Sequence, residues 1–207
     1  PKEEIIAEMK SLVRQGVKEF VVVAQDLTYY GLDLYGNRSL ADLLKEMSDV
    51  EGVKWIRLMY AYPAKFPRDI LPVIAERDNI CKYLDMPLQH ISTNVLKSMR
   101  RGITRRATEE LIGVIRDSVP NITLRSTFII GYPNETEADF DELCEFTSEI
   151  KLDRMGAFLY AQEDDTYSYI LGDPIPHEVK EERKQRLMEI QKGISLEKNQ
   201  AKIGTTI

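Results

Sequence analysis

Hydrophobic positions along the chain alternate between two spacings. Ile5, Ile6, Met9, Leu12 and Val13 recur at helical intervals, and Gly16 marks the end of that helix. Phe20-Val21-Val22-Val23-Ala24 then runs apolar without a break and is rich in β-branched residues, the pattern of a strand covered on both faces. Leu40, Leu43, Leu44 and Met47 predict a second helix with Ser39 at its N-cap. A strand over 55–60, a helix over 70–76 and a strand over 83–88, stopped by Pro87, come next. Residues 94–99 and 108–117 read as helices and 122–130 as a strand. A helix over 137–150 turns Phe140, Leu143, Phe146 and Ile150 inward, and a strand over 155–160 precedes a long, charged helix over 179–202.

Five strands separated by helices, with a helix at each end, imply parallel strands joined by right-handed crossovers. Five strands are too few for an eight-stranded barrel, and one further strand at the start would make six. The predicted fold is therefore α/β: a partial, open TIM-like barrel of parallel strands with outer helices. A doubly wound sheet is the alternative. No linker or low-complexity segment interrupts the pattern, so residues 1–207 are expected to form a single domain.

Composition narrows the function classes. A formal net charge of -6 disfavours unspecific adhesion to nucleic acid, although it leaves room for a local basic patch. No apolar run approaches the ~20 residues that cross a bilayer, and no signal peptide is visible, so a cytoplasmic protein without membrane partners is expected. Cys81 and Cys144 are the only cysteines and read as buried, reduced thiols; two isolated thiols cannot hold a cluster or a structural zinc, and no metal ligand is assigned. The chain opens inside a helical pattern, with Pro1 ahead of Glu3 and Glu4 and no initiating Met, and is expected to be a piece of a longer protein.

In parallel α/β architectures ligands gather at the carboxyl ends of the strands, and here those ends are polar. They read Ala24-Gln25-Asp26-Leu27-Thr28, Tyr60-Ala61-Tyr62-Pro63, Met86-Pro87-Leu88-Gln89-His90, Gly131-Tyr132-Pro133 and Tyr160-Ala161-Gln162-Glu163. Each residue alone could be a cap or a turn; their coincidence at every strand end points to one ligand-binding rim. Gln25 and Gln89 both donate and accept, which suits ribose hydroxyls or an amino group. Arg125, within a strand, needs a carboxylate partner from protein or ligand. Gly131 permits close backbone approach. His90 has no serine or cysteine nucleophile beside it, and no catalytic residue is assigned. Lys97, Arg100, Arg101, Arg105 and Arg106 form one basic stretch, either a solvated face or a surface for a polyanion.

Taken together, the stretches 24–31, 58–63, 83–92, 124–133 and 156–160 resemble the methylthiotransferase branch of the radical-SAM enzymes, in order and over essentially the whole chain. Gln25-Asp26 and Gln89-His90-Ile91-Ser92 are similar to the type that acts on a ribosomal protein rather than the type that acts on tRNA. The resemblance implies S-adenosylmethionine as cofactor and two 4Fe–4S clusters in a full-length parent. It also implies methylthiolation of the β-carbon of an aspartate in small-subunit ribosomal protein twelve, with the ribosome as a further partner; the nearest alternative is the same chemistry on isopentenyl-adenosine in tRNA. Gln25 and Asp26 would then face the methionine moiety, Gln89 the ribose, Arg125 the carboxylate, and the Ile129 and Gly131 backbone the adenine; Tyr62 and His90 would lie toward the substrate. The cluster-binding cysteines would precede Pro1, an amino-terminal cluster domain would precede those, and a TRAM domain would follow Gly204. The 207 residues alone are expected to be inactive, and a scaffold or nucleotide-binding module without redox chemistry is the reading from another class.

Overall fold

The computed structural model describes residues 1–205. Helix α1 (Lys2–Arg14) leads into β1 (Glu19–Val22), a 3₁₀ turn (Leu27–Tyr29), α2 (Leu32–Tyr35) and α3 (Leu40–Ser48). Strand β2 (Trp55–Leu58), α4 (Ile70–Glu76), β3 (Ile80–Asp85), α5 (Thr93–Ser98) and α6 (Arg105–Ser118) follow. The chain continues through β4 (Thr123–Ile130), α7 (Glu137–Ile150), β5 (Arg154–Leu159), a second 3₁₀ turn (Tyr167–Leu171) and α8 (His177–Gln200). The strands follow one another in the sheet in chain order, β1-β2-β3-β4-β5.

The chain divides into two compact units, one of Pro1–Met86 with Leu111–Thr123, the other of Pro87–Glu110 with the residues from Leu124 onward. In the first, β1 pairs parallel with β2 and β2 with β3. Phe20, Ile56, Leu58, Ile80 and Leu84 are buried with Leu40, Leu44, Ile70 and Ile74 of α3 and α4. The opposite face of this sheet is open: Val21 and Val23 are 53% and 61% exposed. The unbroken apolar run of β1 thus does not mean cover on both faces, because only alternate residues meet the helices.

In the second unit β4 and β5 run parallel, with Arg125 beside Arg154, Thr127 beside Gly156 and Ile129 beside Phe158. Leu124, Ser126, Phe128 and Ile130 are buried, and the alternate residues are only half-buried. Phe128 meets Phe146 of α7 edge to face, with ring centres 6.4 Å apart. Thr136 and Asp139 close a capping box that starts α7, and Phe140, Leu143 and Phe146 point inward as their spacing predicts, with Ile150 half-buried.

Several elements depart from the sequence reading. Strand β3 starts three residues before the expected position, and Lys82 within it donates to the carbonyls of Ile74 and Arg77 that end α4. Ser39 occupies the N-cap of α3, yet its hydroxyl donates to Asn37 O rather than accepting from the helix. The short helices at 27–29, 32–35 and 167–171 carry no hydrophobic period long enough to announce them. Both cysteines are free and half-buried rather than fully buried. Among the described residues, no helix is long and apolar enough to cross a membrane.

Candidate functional site

The polar strand ends are described unit by unit. At the end of β1, Asp26 caps the 3₁₀ turn: its Oδ1 accepts from the Thr28 amide and hydroxyl, both at 2.8 Å, and from the Tyr62 amide at 3.4 Å. The Leu27 amide donates to Tyr60 O at 3.2 Å, so the loops after β1 and β2 are tied together. Asp26 and Tyr62 are thereby neighbours, while Gln25 stands exposed on the bend before them. A cavity of about 440 Å³ opens beside this loop, lined by Val23, Ala24, Asp26, Tyr29 and Tyr30 among others.

In the second unit, Gln89 is stitched to β4. Its amide donates to Thr127 O at 2.9 Å and its carbonyl accepts from the Ile129 amide at 2.8 Å. Gln89 holds this position at φ 72°, and Tyr60 after β2 stands at φ 61°; for residues with a Cβ, such left-handed backbone is strained and is typically kept at functional sites. Nothing in the sequence pattern announced either conformation.

His90 is completely buried. Its Nδ1 accepts from the Ser92 amide at 3.0 Å, so the ring proton lies on Nε2. Nε2 lies 3.4 Å from Glu135 Oε2 but is not aligned for a hydrogen bond. Glu135 Oε2 accepts instead from the Gly131 amide at 2.9 Å, and Oε1 accepts from Arg183 of α8 at 2.9 Å. Gly131, at φ 77°, turns its Cα toward Lys180: a Cβ there would stand 2.1 Å from Lys180 Cγ. The close approach this glycine permits is made by the protein's own α8. Lys180 Nζ in turn donates to Tyr160 O at 3.1 Å and to both oxygens of Asp173.

Beside this network Asp139 accepts from the Ser92 hydroxyl and from the amide and hydroxyl of Thr136. Burial works to raise its pKa, but the hydrogen bonds from Ser92 and Thr136 prevail and hold it below the usual aspartate value. Arg186 and then Arg183 lower that of Glu137. The two phenols that end β4 and β5, Tyr132 and Tyr160, pack against each other and Val95, with their hydroxyls on Ser98 O and Ser168 O. They belong to the core of this unit.

Arg125 lies near the start of β4, on the same half-open face as Thr127 and Ile129. Ile129 is four residue steps further on, about 13 Å along a strand. Its side chain lines a cavity of about 330 Å³ with Arg154, Gln191 and Lys192. The basic stretch is largely engaged within the protein. Arg105 meets Glu109, Glu142, Glu145 and Glu149, Arg106 pairs with Glu110, Arg101 donates to Pro87 O, and Arg100 stacks over Tyr167. Only the remainder is available to a polyanion.

The donor set decides which groups this chain can hold. Among the described residues no three of His, Cys, Asp and Glu gather as a metal site. Burial pushes the Cys144 thiol up to about 11 and raises that of Cys81, so neither favours the thiolate an iron ligand requires. These residues do not fit a 4Fe–4S cluster. In the first unit the exposed amide of Gln25 and the bonded carboxylate of Asp26, and in the second unit, taken by itself, the strained Gln89, each suit hydroxyl or amino groups of a polar ligand.

Comparison with known proteins agrees with this architecture. Coproporphyrinogen III oxidase (HemN) from Escherichia coli, a radical SAM enzyme, superposes with a TM-score of 0.67 at 16% identity, over 93% of this chain and 46% of that one. The radical S-adenosylmethionine methyltransferase TsrM from Kitasatospora setae gives 0.61 at 18% identity, over 79% and 31%. These likenesses show the fold, a partial TIM-like barrel. Proteins named ribosomal protein uS12 methylthiotransferase RimO are 59% identical in Cytophaga hutchinsonii and 53% identical in Parabacteroides distasonis. Each match covers 100% of this chain but only 47% and 48% of the relative, so the chain spans about half the length of the curated relatives it matches. The model of the Radical SAM superfamily matches residues 1–147, which take in every strand end described except that of β5. With parallel strands, polar carboxyl ends and this match over most of its length, the chain belongs to the Radical SAM superfamily.

Proposed function

We propose that this chain is the S-adenosylmethionine-binding core, over residues 1–207, of a cytoplasmic methylthiotransferase acting on an aspartate of ribosomal protein uS12. The observation that carries the reading is the 59% identity, over the whole chain, to a protein named for that activity. S-adenosylmethionine together with 4Fe–4S clusters supplies one-electron chemistry able to remove hydrogen from an unactivated carbon. The cysteines of this chain do not fit cluster ligation, so that part belongs to the rest of the full-length protein.

The chain's own residues bind and orient. Gln25 and Asp26 face the methionine moiety, with Asp26 fixed by the donors on its Oδ1. Gln89 is directed at the ribose by its bonds to β4, and the Ile129 and Gly131 backbone meets the adenine. Arg125 pairs with the carboxylate, and Tyr62 lies toward the substrate. His90 supports that side from the interior, since it is fully buried. A net charge of -6 and a basic stretch already paired with glutamates favour a basic ribosomal protein over tRNA.

The test is turnover by the reconstituted full-length protein supplied with S-adenosylmethionine, a reductant and either uS12 or tRNA. Formation of 5′-deoxyadenosine with methylthiolated uS12 supports the proposal; modified tRNA with untouched uS12 refutes it. Arg125→Ala should weaken S-adenosylmethionine binding about ten- to hundredfold, as loss of a charge-assisted hydrogen bond would, and Gln89→Ala about two- to tenfold, as loss of a neutral one would. Unchanged affinity by calorimetry in a folded variant removes that residue from the site.

A further inference from the structure

We infer that Glu135 is a positioning residue, which fixes the backbone at the carboxyl end of β4 in the form that receives the cofactor. The inference rests on the proposed placement of the Ile129 and Gly131 backbone against the adenine. It concerns a buried acid that no part of that proposal uses.

Glu135 is 4% exposed, and its side chain is wholly buried. A carboxylate in such a place is costly unless its oxygens are bonded. Each oxygen has a donor, and the donors come from different parts of the unit. Oε2 takes the Gly131 amide at 2.9 Å, Oε1 takes Arg183 of α8 at 2.9 Å, and His90 Nε2 stands 3.4 Å from Oε2 without bonding to it. The Glu135 amide donates to Tyr132 O at 2.7 Å, so the turn after β4 folds back on itself and returns the acid to the strand end it left.

The consequence falls on one peptide. The Gly131 N–H is committed to Glu135, its φ is 77°, and Lys180 closes the space beside its Cα. With the amide held from one side and the Cα blocked on the other, the peptide cannot turn over. The carbonyl of Ile130 belongs to that same peptide, and it accepts from the Tyr160 amide at 2.8 Å. The end of β4 is thus fixed before any ligand arrives, and a ligand reading its backbone meets no ordering cost. Arg183 is held by Glu137 as well as by Glu135, which ties α8 into the same setting.

The test uses the full-length, cluster-bearing protein and the variants Glu135→Gln and Glu135→Ala. Three quantities are read in each: the melting temperature, the amide proton shift and exchange rate of Gly131, and the affinity for S-adenosylmethionine. Glu135→Gln keeps the shape but loses the charge, so it should stay folded, shift the Gly131 amide upfield and speed its exchange. Its affinity should fall about tenfold, the scale of one lost charge-assisted hydrogen bond. Glu135→Ala should do the same more strongly, and if it fails to fold Glu135→Gln alone decides. An altered Gly131 amide with unchanged affinity overturns the inference, because the acid would then serve stability only. An unaltered amide overturns it too. Wild-type protein that binds no S-adenosylmethionine refutes the proposed function, and this inference with it; that outcome is recognised in the control before any variant is read.

Discussion

Asp139 shows how a single side chain ties the site to pH. Its pKa is held below the usual aspartate value, against the pull of burial, by hydrogen bonds from Ser92 and Thr136. A depressed folded-state pKa means that the stabilisation is complete above the unfolded value of about 3.9 and is lost as pH falls through the folded value. Ser92→Ala should therefore cost about 1–3 kcal/mol at neutral pH, and the gap to wild type should shrink below about pH 4. Urea unfolding at several pH values reads this directly, and a gap independent of pH would contradict it. Residue types at the strand ends were legible in the sequence, but their partners were not. Gln25, Asp26, Gln89 and His90 could be picked out because polar groups are unusual at the ends of apolar runs. That His90 would be buried, or that Glu135 would return to Gly131, depends on a turn that no local pattern encodes. Glu135 had no signal beyond its place in a Pro-Asn-Glu-Thr turn.

At the scale of elements, α8 does more than its charged sequence suggests. Lys180, Arg183, Leu187, Gln191 and Ile194 are its buried residues, three of them polar or charged, so its inner face is poorly marked by hydrophobic period. Gly131 and Lys180 are complementary across this packing. Gly131→Ala should destabilise by about 2–5 kcal/mol, combining left-handed strain with overpacking against the Lys180 stem. In a Lys180→Ala background the same change should cost only the backbone share, about 1–2 kcal/mol. A double-mutant cycle by chemical denaturation measures the difference, and simple additivity would show that the two do not touch. A second element-level expectation concerns α6 and α7. Arg105→Ala breaks contacts with four glutamates and should cost about 1 kcal/mol at low salt, less as salt rises, in a thermal-melt series. No dependence on salt would contradict it. The main helices and strands were readable because their periods are long and clean. Strand β3 begins three residues ahead of its readable apolar run because Lys82 interrupts that run, although Lys82 caps α4 from there.

For the whole molecule, the alternation of strands and helices sufficed to foresee a partial parallel barrel, since crossover connections leave few alternatives. Function was legible only through resemblance, because polar strand ends alone are shared by many unrelated chemistries. The open sheet faces, with Val21, Val23 and Phe158 exposed, were not foreseen: an unbroken apolar run reads alike whether its second face meets protein or a ligand. We propose that the protein carrying this chain methylthiolates uS12. Mass spectrometry of uS12 from cells with and without the gene tests it most directly. Deletion is expected to remove from the target aspartate the mass of one methylthio group in place of hydrogen, with methylthio-adenosine in tRNA unchanged. An identical uS12 mass in both strains, or loss confined to tRNA, would contradict it.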